Sequence, residues 1–221
     1  MTHTVVDHLV VAAATLEQGA AWCEATLGFT PTAGGKHPLM GTHNRVFNIA
    51  TAEYPLAYFE IIAIDPEASP PGRSRWYGLD DAALQARIAE APQLIHSVAR
   101  ATMLDMHRWG LINVGQRPGD PVAVERDTPS GRLSWQLLVP DDGRPDCEGA
   151  LPTLIQWQGL HPAQNLPDSG VTLKDLTLRG VPDRARDVLR LRGVQVLPEG
   201  RPALTATLLC ARGEVVLESA A

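Results

Sequence analysis

The chain has 221 residues, 44% of them hydrophobic and 20% charged, with a formal net charge of -6. That mixture suits an ordinary globular chain able to bury a core, as one large domain or two small ones. An acidic balance with no cluster of Lys and Arg argues against a nucleic-acid footprint and against an anionic membrane surface, leaving small molecules or proteins as the expected partners.

The first residues, "MTHTVVDHLVV", carry no basic segment, and Asp7 and His8 interrupt their apolar run, so no signal peptide is expected. No segment approaches membrane-spanning length. Cys23, Cys147 and Cys210 lie far apart without Cys-x-x-Cys spacing, which points to a cytoplasmic protein with buried thiols and no disulfide framework or zinc knuckle. Residues 4–11 are β-branched and apolar and read as a strand. Thr15 followed by Gln18 is a capping-box pattern, Leu16, Ala20, Cys23 and Leu27 recur at helical spacing, and Gly28 stands where a left-handed residue ends a helix. Strands are expected at 29–33, 43–50 and 56–64. The glycine-rich stretch "GGKHPLMGTHN" reads as a structured turn between the first two of them. "DPEASPPGRS" then closes a β-α-β-β-β unit.

The next segment, "LDDAALQARIAEAP", predicts an inserted helix ended by Pro92. After it the same order recurs. A strand at 94–100 precedes a short helix opened by Thr102 and Asp105, carrying Met103, Met106 and Trp109 and closed by Gly110, and strands follow at 122–126, 132–139 and 152–157. A third copy starts with "VTLKDLTL", continues through a helix capped by Asp183 and stopped by Gly193, and ends in strands near 194, 203–211 and 214–218. Internal repetition at this scale decides the architecture. The expected fold is α+β, built from tandem βαβββ modules: residues 1–66, a linker with its helix over 67–93, residues 94–162, and a third partial or complete module over 170–221.

Paired modules opening on "VDHLVV", with "GGKHPLMGTHN" in the middle and "YFEIIAID" at the end, resemble the glyoxalase-like branch of the vicinal oxygen chelate superfamily. The resemblance implies a half-barrel per module, two modules facing each other across a cleft, and often a divalent metal held by ligands from the first and last strand of each. It also implies a homodimer. It does not imply one reaction, since fold and chemistry vary independently.

Alternation along the strands sorts the side chains without that resemblance. Val5, Asp7, Leu9 and Val11 share one face of the first strand; Val6, His8 and Val10 share the other. The helix must cover an apolar face, which assigns Leu9, Phe47, Phe59 and Ile61 to the helix side and gathers His8, Asn44, Asn48, Tyr58 and Glu60 on the cleft side. In the second module His96 takes the place of His8, and Gln156 that of Glu60. Two imidazoles, a carboxylate and an amide oxygen make a shell for zinc, nickel, cobalt or iron. If the first and third modules pair instead, Asp175 and Glu218 are the equivalents. For His8 the alternative is a satisfied core histidine, and for Glu60 a structural ion pair with Arg45. Trp76, Trp109, Trp135 and Trp157 read as core or cleft-wall aromatics. His107 is expected on an exposed turn, and neither it nor His161 has a nameable partner. Dinucleotide, nucleotide and α/β-hydrolase motifs are missing from the sequence.

The leading expectation is a metal-dependent lyase or isomerase acting on a small carbonyl or vicinal-dioxygen substrate. The metal polarises the substrate oxygens, Glu60 ligates it and moves a proton, and His37, Thr42 and Asn44 orient the substrate beside Asn48 and Tyr58. Two alternatives stand beside it: an extradiol-type non-haem iron dioxygenase, and a metal-free protein that sequesters a planar ligand between tryptophans.

Overall fold

A computed structural model describes residues 3–128 and 131–219. The first strand, β1 (Thr4–Ala12), runs into α1 (Leu16–Leu27). Thr15 caps that helix by accepting from the Gln18 backbone N–H, and Gly28 ends it at φ 73°. Its buried stripe of Leu16, Cys23 and Leu27 shares one core with Leu9, Phe47, Phe59 and Ile61, as the strand alternation requires. Strands β2 (Ala33–His37), β3 (Thr42–Asn48) and β4 (Tyr58–Ile64) follow, in the sheet order β2-β3-β4-β1, with β4 parallel to β1.

The glycine-rich stretch is therefore not all turn. Only residues 38–41 turn, and Gly34 and Gly35 sit inside β2, paired with Arg45 and Asn44. The glycines mark close approach rather than punctuation. A Cβ on Gly34 would lie 1.9 Å from the Asn44 carbonyl oxygen, and one on Gly35 would lie 2.5 Å from a guanidinium nitrogen of Arg126.

The inserted helix α2 (Ala82–Glu90) is capped by Asp81, whose carboxylate accepts from the N–H groups of Ala83 and Leu84. The second unit comprises β5 (Gln93–Arg100), α3 (Leu104–Asn113), β6 (Asp120–Thr128), β7 (Gly131–Val139) and β8 (Thr153–Gln158). Its sheet order, β5-β8-β7-β6, repeats that of the first unit, and antiparallel pairing of β1 with β5 joins the two into one path of eight strands. The path curls until its edge strands β2 and β6 meet, giving a nearly closed barrel. Val10, Ala12, Ile62, Val98, Leu137 and Ile155 line the inside. In β1 the register slips between Val6 and His8, so Asp7 is an extra, unpaired residue, a β-bulge.

The remaining chain forms β9 (Thr172–Arg179), α4 (Asp183–Leu189), β10 (Leu191–Arg192), β11 (Val194–Leu197), β12 (Ala203–Cys210) and β13 (Gly213–Glu218). The βαβββ order persists, but β9 lies between β11 and β12 in a separate four-stranded sheet. This sheet covers the outer face of the barrel, where Leu173, Leu176, Leu204 and Leu208 enter the same core as α1 and α3. Asp175 and Glu218 are exposed on it, away from the barrel interior.

Four local expectations change. Helix α3 runs through Gly110 instead of stopping there, because the bare position lets α4 approach: a Cβ would lie 2.8 Å from a Val188 methyl. His107 is buried at that contact, its Nδ1 donating to the Val188 carbonyl at 3.2 Å. Asp183 is the first residue of α4 rather than its cap, and Arg190, at φ 48°, ends the helix before Gly193.

Candidate active site

Inside the curled sheet His8, His37, Asn44, Tyr58 and Glu60 from the first unit face Arg126, Trp135 and Trp157 from the second, with Trp76 and Tyr77 closing one end. The space they leave is small, about 30 Å³, and partly open to solvent.

The acid–base groups are connected. His8 Nε2 lies 3.5 Å from Glu60 Oε2, Asn44 Nδ2 donates to Glu60 Oε1 at 2.6 Å, and Arg126 donates to Asn44 Oδ1 at 3.3 Å. The Gly35 N–H also donates to that Asn44 oxygen, so the amide is held from both sides. Tyr58 stacks on His8 with ring centroids 4.4 Å apart.

Behind His8 stands a group that alternation assigns to the wrong face. Asp7 is 0% exposed, and the bulge turns its carboxylate to the same side as His8. It accepts from His8 Nδ1 at 2.7 Å, from Trp157 Nε1 at 3.0 Å and from His161 Nε2 at 3.0 Å, with the Arg100 guanidinium 3.6 Å away. Burial by itself would raise the Asp7 carboxyl, but the hydrogen bonds from His161 and His8 outweigh it and hold the group well below the usual carboxylate range. With Nδ1 bonded to the Asp7 carboxylate, Nε2 is the His8 ring nitrogen aimed at Glu60.

The other expected site residues are placed as follows. His37 lies 3.1 Å from the Thr42 hydroxyl and edge-on to Trp76; burial, then Arg126 and His43, push its imidazole down to about 3, so it is neutral at neutral pH. Thr42 is thereby a partner of His37 rather than a lining group. Asn48 lies on the Tyr58 side of β3, and its Oδ1 accepts from the Ala50 N–H at 2.7 Å. His96 faces inward, yet both ring nitrogens are engaged: Nδ1 donates to the Gly149 carbonyl at 2.9 Å, and Nε2 accepts from the Thr153 N–H at 3.1 Å. Gln156 points away from the cavity, because its strand neighbours Ile155 and Trp157 point in; its Oε1 accepts from the Leu104 N–H at the start of α3. The expected four-ligand shell is not assembled.

The resemblance read from the sequence implies a divalent metal. Here His8 Nε2 and Glu60 Oε2 have the separation of two ligands on one ion, consistent with bonds of about 2.0–2.2 Å. No third donor joins them: among the described residues no group of three or more His, Cys, Asp or Glu is placed to hold a metal ion. The residues present do not fit a metal centre with three protein ligands, nor the two-histidine, one-carboxylate triad of an iron oxygenase.

Sequence reasoning missed Asp7, His161, Arg126 and Tyr77. Only Arg126 left a signal, as a charge that follows Val122 and Val124 on the same face of its strand. Trp109, grouped with the cleft aromatics, is 56% exposed on α3 beneath the Arg108 guanidinium.

Burial pushes His96 down to about 4 despite its bond to Gly149, so folding holds this imidazole neutral. An unfolded histidine titrates near ~6.5. The contribution to stability is therefore complete above about 6.5, falls as pH drops and levels off below the folded value. Between pH 7 and pH 5 the loss is expected to be roughly 2 kcal/mol. Urea unfolding of the wild type and of His96→Gln at both pH values checks this; equal pH slopes would refute it.

A family model described as a glyoxalase-like domain matches residues 6–203. No curated protein matches the sequence. Among solved structures, a hypothetical protein from Staphylococcus aureus aligns with a TM-score of 0.54 at 14% identity, over 97% of this chain and 84% of that one. A variant of Streptomyces coelicolor methylmalonyl-CoA epimerase in complex with 2-nitronate-propionyl-CoA aligns at 18% identity and TM-score 0.44, over 71% of this chain and 96% of that one. The methylmalonyl-CoA epimerase from Mycobacterium tuberculosis aligns at 16% identity and TM-score 0.38, over 69% and 85%. At 14% identity the likeness to the Staphylococcus aureus protein speaks to the fold alone.

Proposed function

The chain belongs to the glyoxalase-like domain family of the vicinal oxygen chelate superfamily, and from that premise we propose that it is an acid–base isomerase or lyase acting on a small carbonyl compound. One observation carries the reading: His8 Nε2 and Glu60 Oε2 stand 3.5 Å apart in a narrow cavity, each held from behind by a hydrogen-bonded partner. Glu60 removes a proton from the carbon beside the carbonyl, and His8 Nε2 holds or returns one on the same side. Burial raises the phenols of Tyr58 and Tyr77 well above their usual range. Both stay protonated in the cavity wall as O–H donors for a developing enolate oxygen.

No step is routed through a metal, because two ligands do not fill a coordination shell. Chelator is expected to leave the reaction unchanged, and added zinc, nickel, cobalt or iron to leave it no faster; activity restored by one of these ions to chelated protein would reverse that statement. The test of the reading is solvent exchange: small oxo compounds in D₂O, followed by proton NMR with wild type and Glu60→Gln. Equal exchange by both proteins would sink it. The walls of Trp76, Trp135 and Trp157 also suit a protein that holds a planar ligand without turning it over, and wild type that binds but exchanges nothing would mark that role.

A further inference from the structure

Two polar donors in the cavity have no acceptor. Arg126 Nε and Trp76 Nε1 are both buried without a hydrogen-bond partner among the described residues, and both residues line the space around Glu60. A buried donor without a partner is costly, so two in one small cavity mark where an acceptor belongs. Trp76 is 4% exposed. It is brought to the cavity by an unusual backbone: the next residue, Tyr77, sits at φ 58°, a conformation non-glycine residues rarely adopt and one that gathers at ligand sites.

Arg126 is the stronger signal. Among the described residues it forms no ion pair; its one bond is to the neutral amide of Asn44, while the flanking Glu125 and Asp127 pair with Arg132 on the outside. Burial lowers its pKa, but a guanidinium remains a cation at neutral pH. Arg126 also faces two spaces. Inward it borders the cavity, and outward it borders a groove of about 390 Å³ between β2 and β6, lined by Gly34, Gly35 and Lys36 on one side and Glu125 and Asp127 on the other. It stands in the seam between the two spaces.

We propose that the substrate is an oxo acid whose carboxylate is seated by the Arg126 guanidinium and the Trp76 indole N–H. A planar carboxylate matches the guanidinium fork, and the confined, aromatic-walled space favours it over a bulkier tetrahedral anion. Only the Asn44 carboxamide separates Arg126 from Glu60, so the carboxylate and the carbon losing its proton are close together in the same short molecule. This inference deepens the acid–base reading above and rests on it for the chemistry, but not for the binding.

The experiment is calorimetric titration with 2-oxobutanoate and with its neutral counterpart pentane-2,3-dione. Wild type is expected to bind the oxo acid at least tenfold more tightly than the dione, and Arg126→Gln to abolish that preference while leaving the dione affinity unchanged. Gly35→Ala provides a second arm, because its methyl displaces the end of the Arg126 side chain from a backbone that any residue can adopt. It should lose most of the preference with the fold intact. Trp76→Phe, which removes only the N–H donor, should lose part of it. Equal affinity of wild type for the two compounds, binding of neither, or an unchanged preference in Arg126→Gln would overturn the seat. Glu60→Gln separates the two proposals: retained oxo-acid preference with undiminished solvent exchange would leave the seat standing and remove the acid–base role.

Discussion

Glu60→Gln is expected to slow solvent exchange at the carbon beside the carbonyl by about 10²–10⁴-fold, the usual worth of a positioned general base. The carboxylate is 5% exposed and cannot be replaced by bulk water, because the cavity has room for so little of it. The substitution is nearly isosteric, and the introduced amide keeps an oxygen to accept from Asn44 Nδ2, so the sheet around it has no reason to move. Unfolding free energy should stay within about 1 kcal/mol of wild type. The measurement is the NMR exchange rate at saturating substrate, with urea unfolding run alongside. A drop of less than tenfold would assign the proton to another group, with His8 Nε2 the next to replace.

Asp7→Ala carries the largest expected cost in stability, about 3–5 kcal/mol, as for other buried charge networks broken at one member. Its carboxylate satisfies His8, Trp157 and His161 and lies against Arg100, so its loss leaves three buried donors and a partly buried cation without their acceptor. Against a total of about 5–15 kcal/mol for a native protein, that is a large share. Asp7→Asn should cost less, about 1.5–3 kcal/mol, since an amide oxygen still accepts while the charge is gone. Because the carboxyl is held below its ordinary range, its contribution is present above about pH 4 and is lost as pH falls further. Asp7→Asn should also reduce the exchange rate more than the affinity, because it loosens the histidine and touches no ligand. An unfolding free energy of Asp7→Ala within about 1 kcal/mol of wild type would show that the network is not structural.

Much of the fold was legible because its signals are local. Thr15, Gln18 and Gly28 bracket α1 through bonds made within a few residues, and the apolar alternation of Phe59, Ile61 and Ala63 needs only a helix to face. The site is less legible because its signals are not local. Alternation sends Asp7 to the helix side, and only the pairing of β1 with β5 reveals the extra residue that turns it inward. Gln156 was matched to Glu60 by position in the repeat, whereas an offset of one residue reverses the face. Gly34 and Gly35 carry the opposite meaning from the one that glycine suggests: room for Asn44 and for an arginine nearly a hundred positions away in sequence, not a bend. His161 owes its role wholly to Asp7, across a sequence separation of 154.

The pairing of β10 with the start of β1 has a consequence for how the protein is made. Thr4 and Val5 find their neighbours in Leu191 and Arg192, and the Thr4 hydroxyl donates to the Leu189 carbonyl across a separation of 185 residues. The strand that carries Asp7 and His8 thus leaves the ribosome early, yet waits for most of the chain before its own pairing is complete. A nascent or truncated polypeptide lacking the C-terminal sheet holds these two residues on a strand with a frayed beginning, so the start of that strand is completed only in chains translated through to β10.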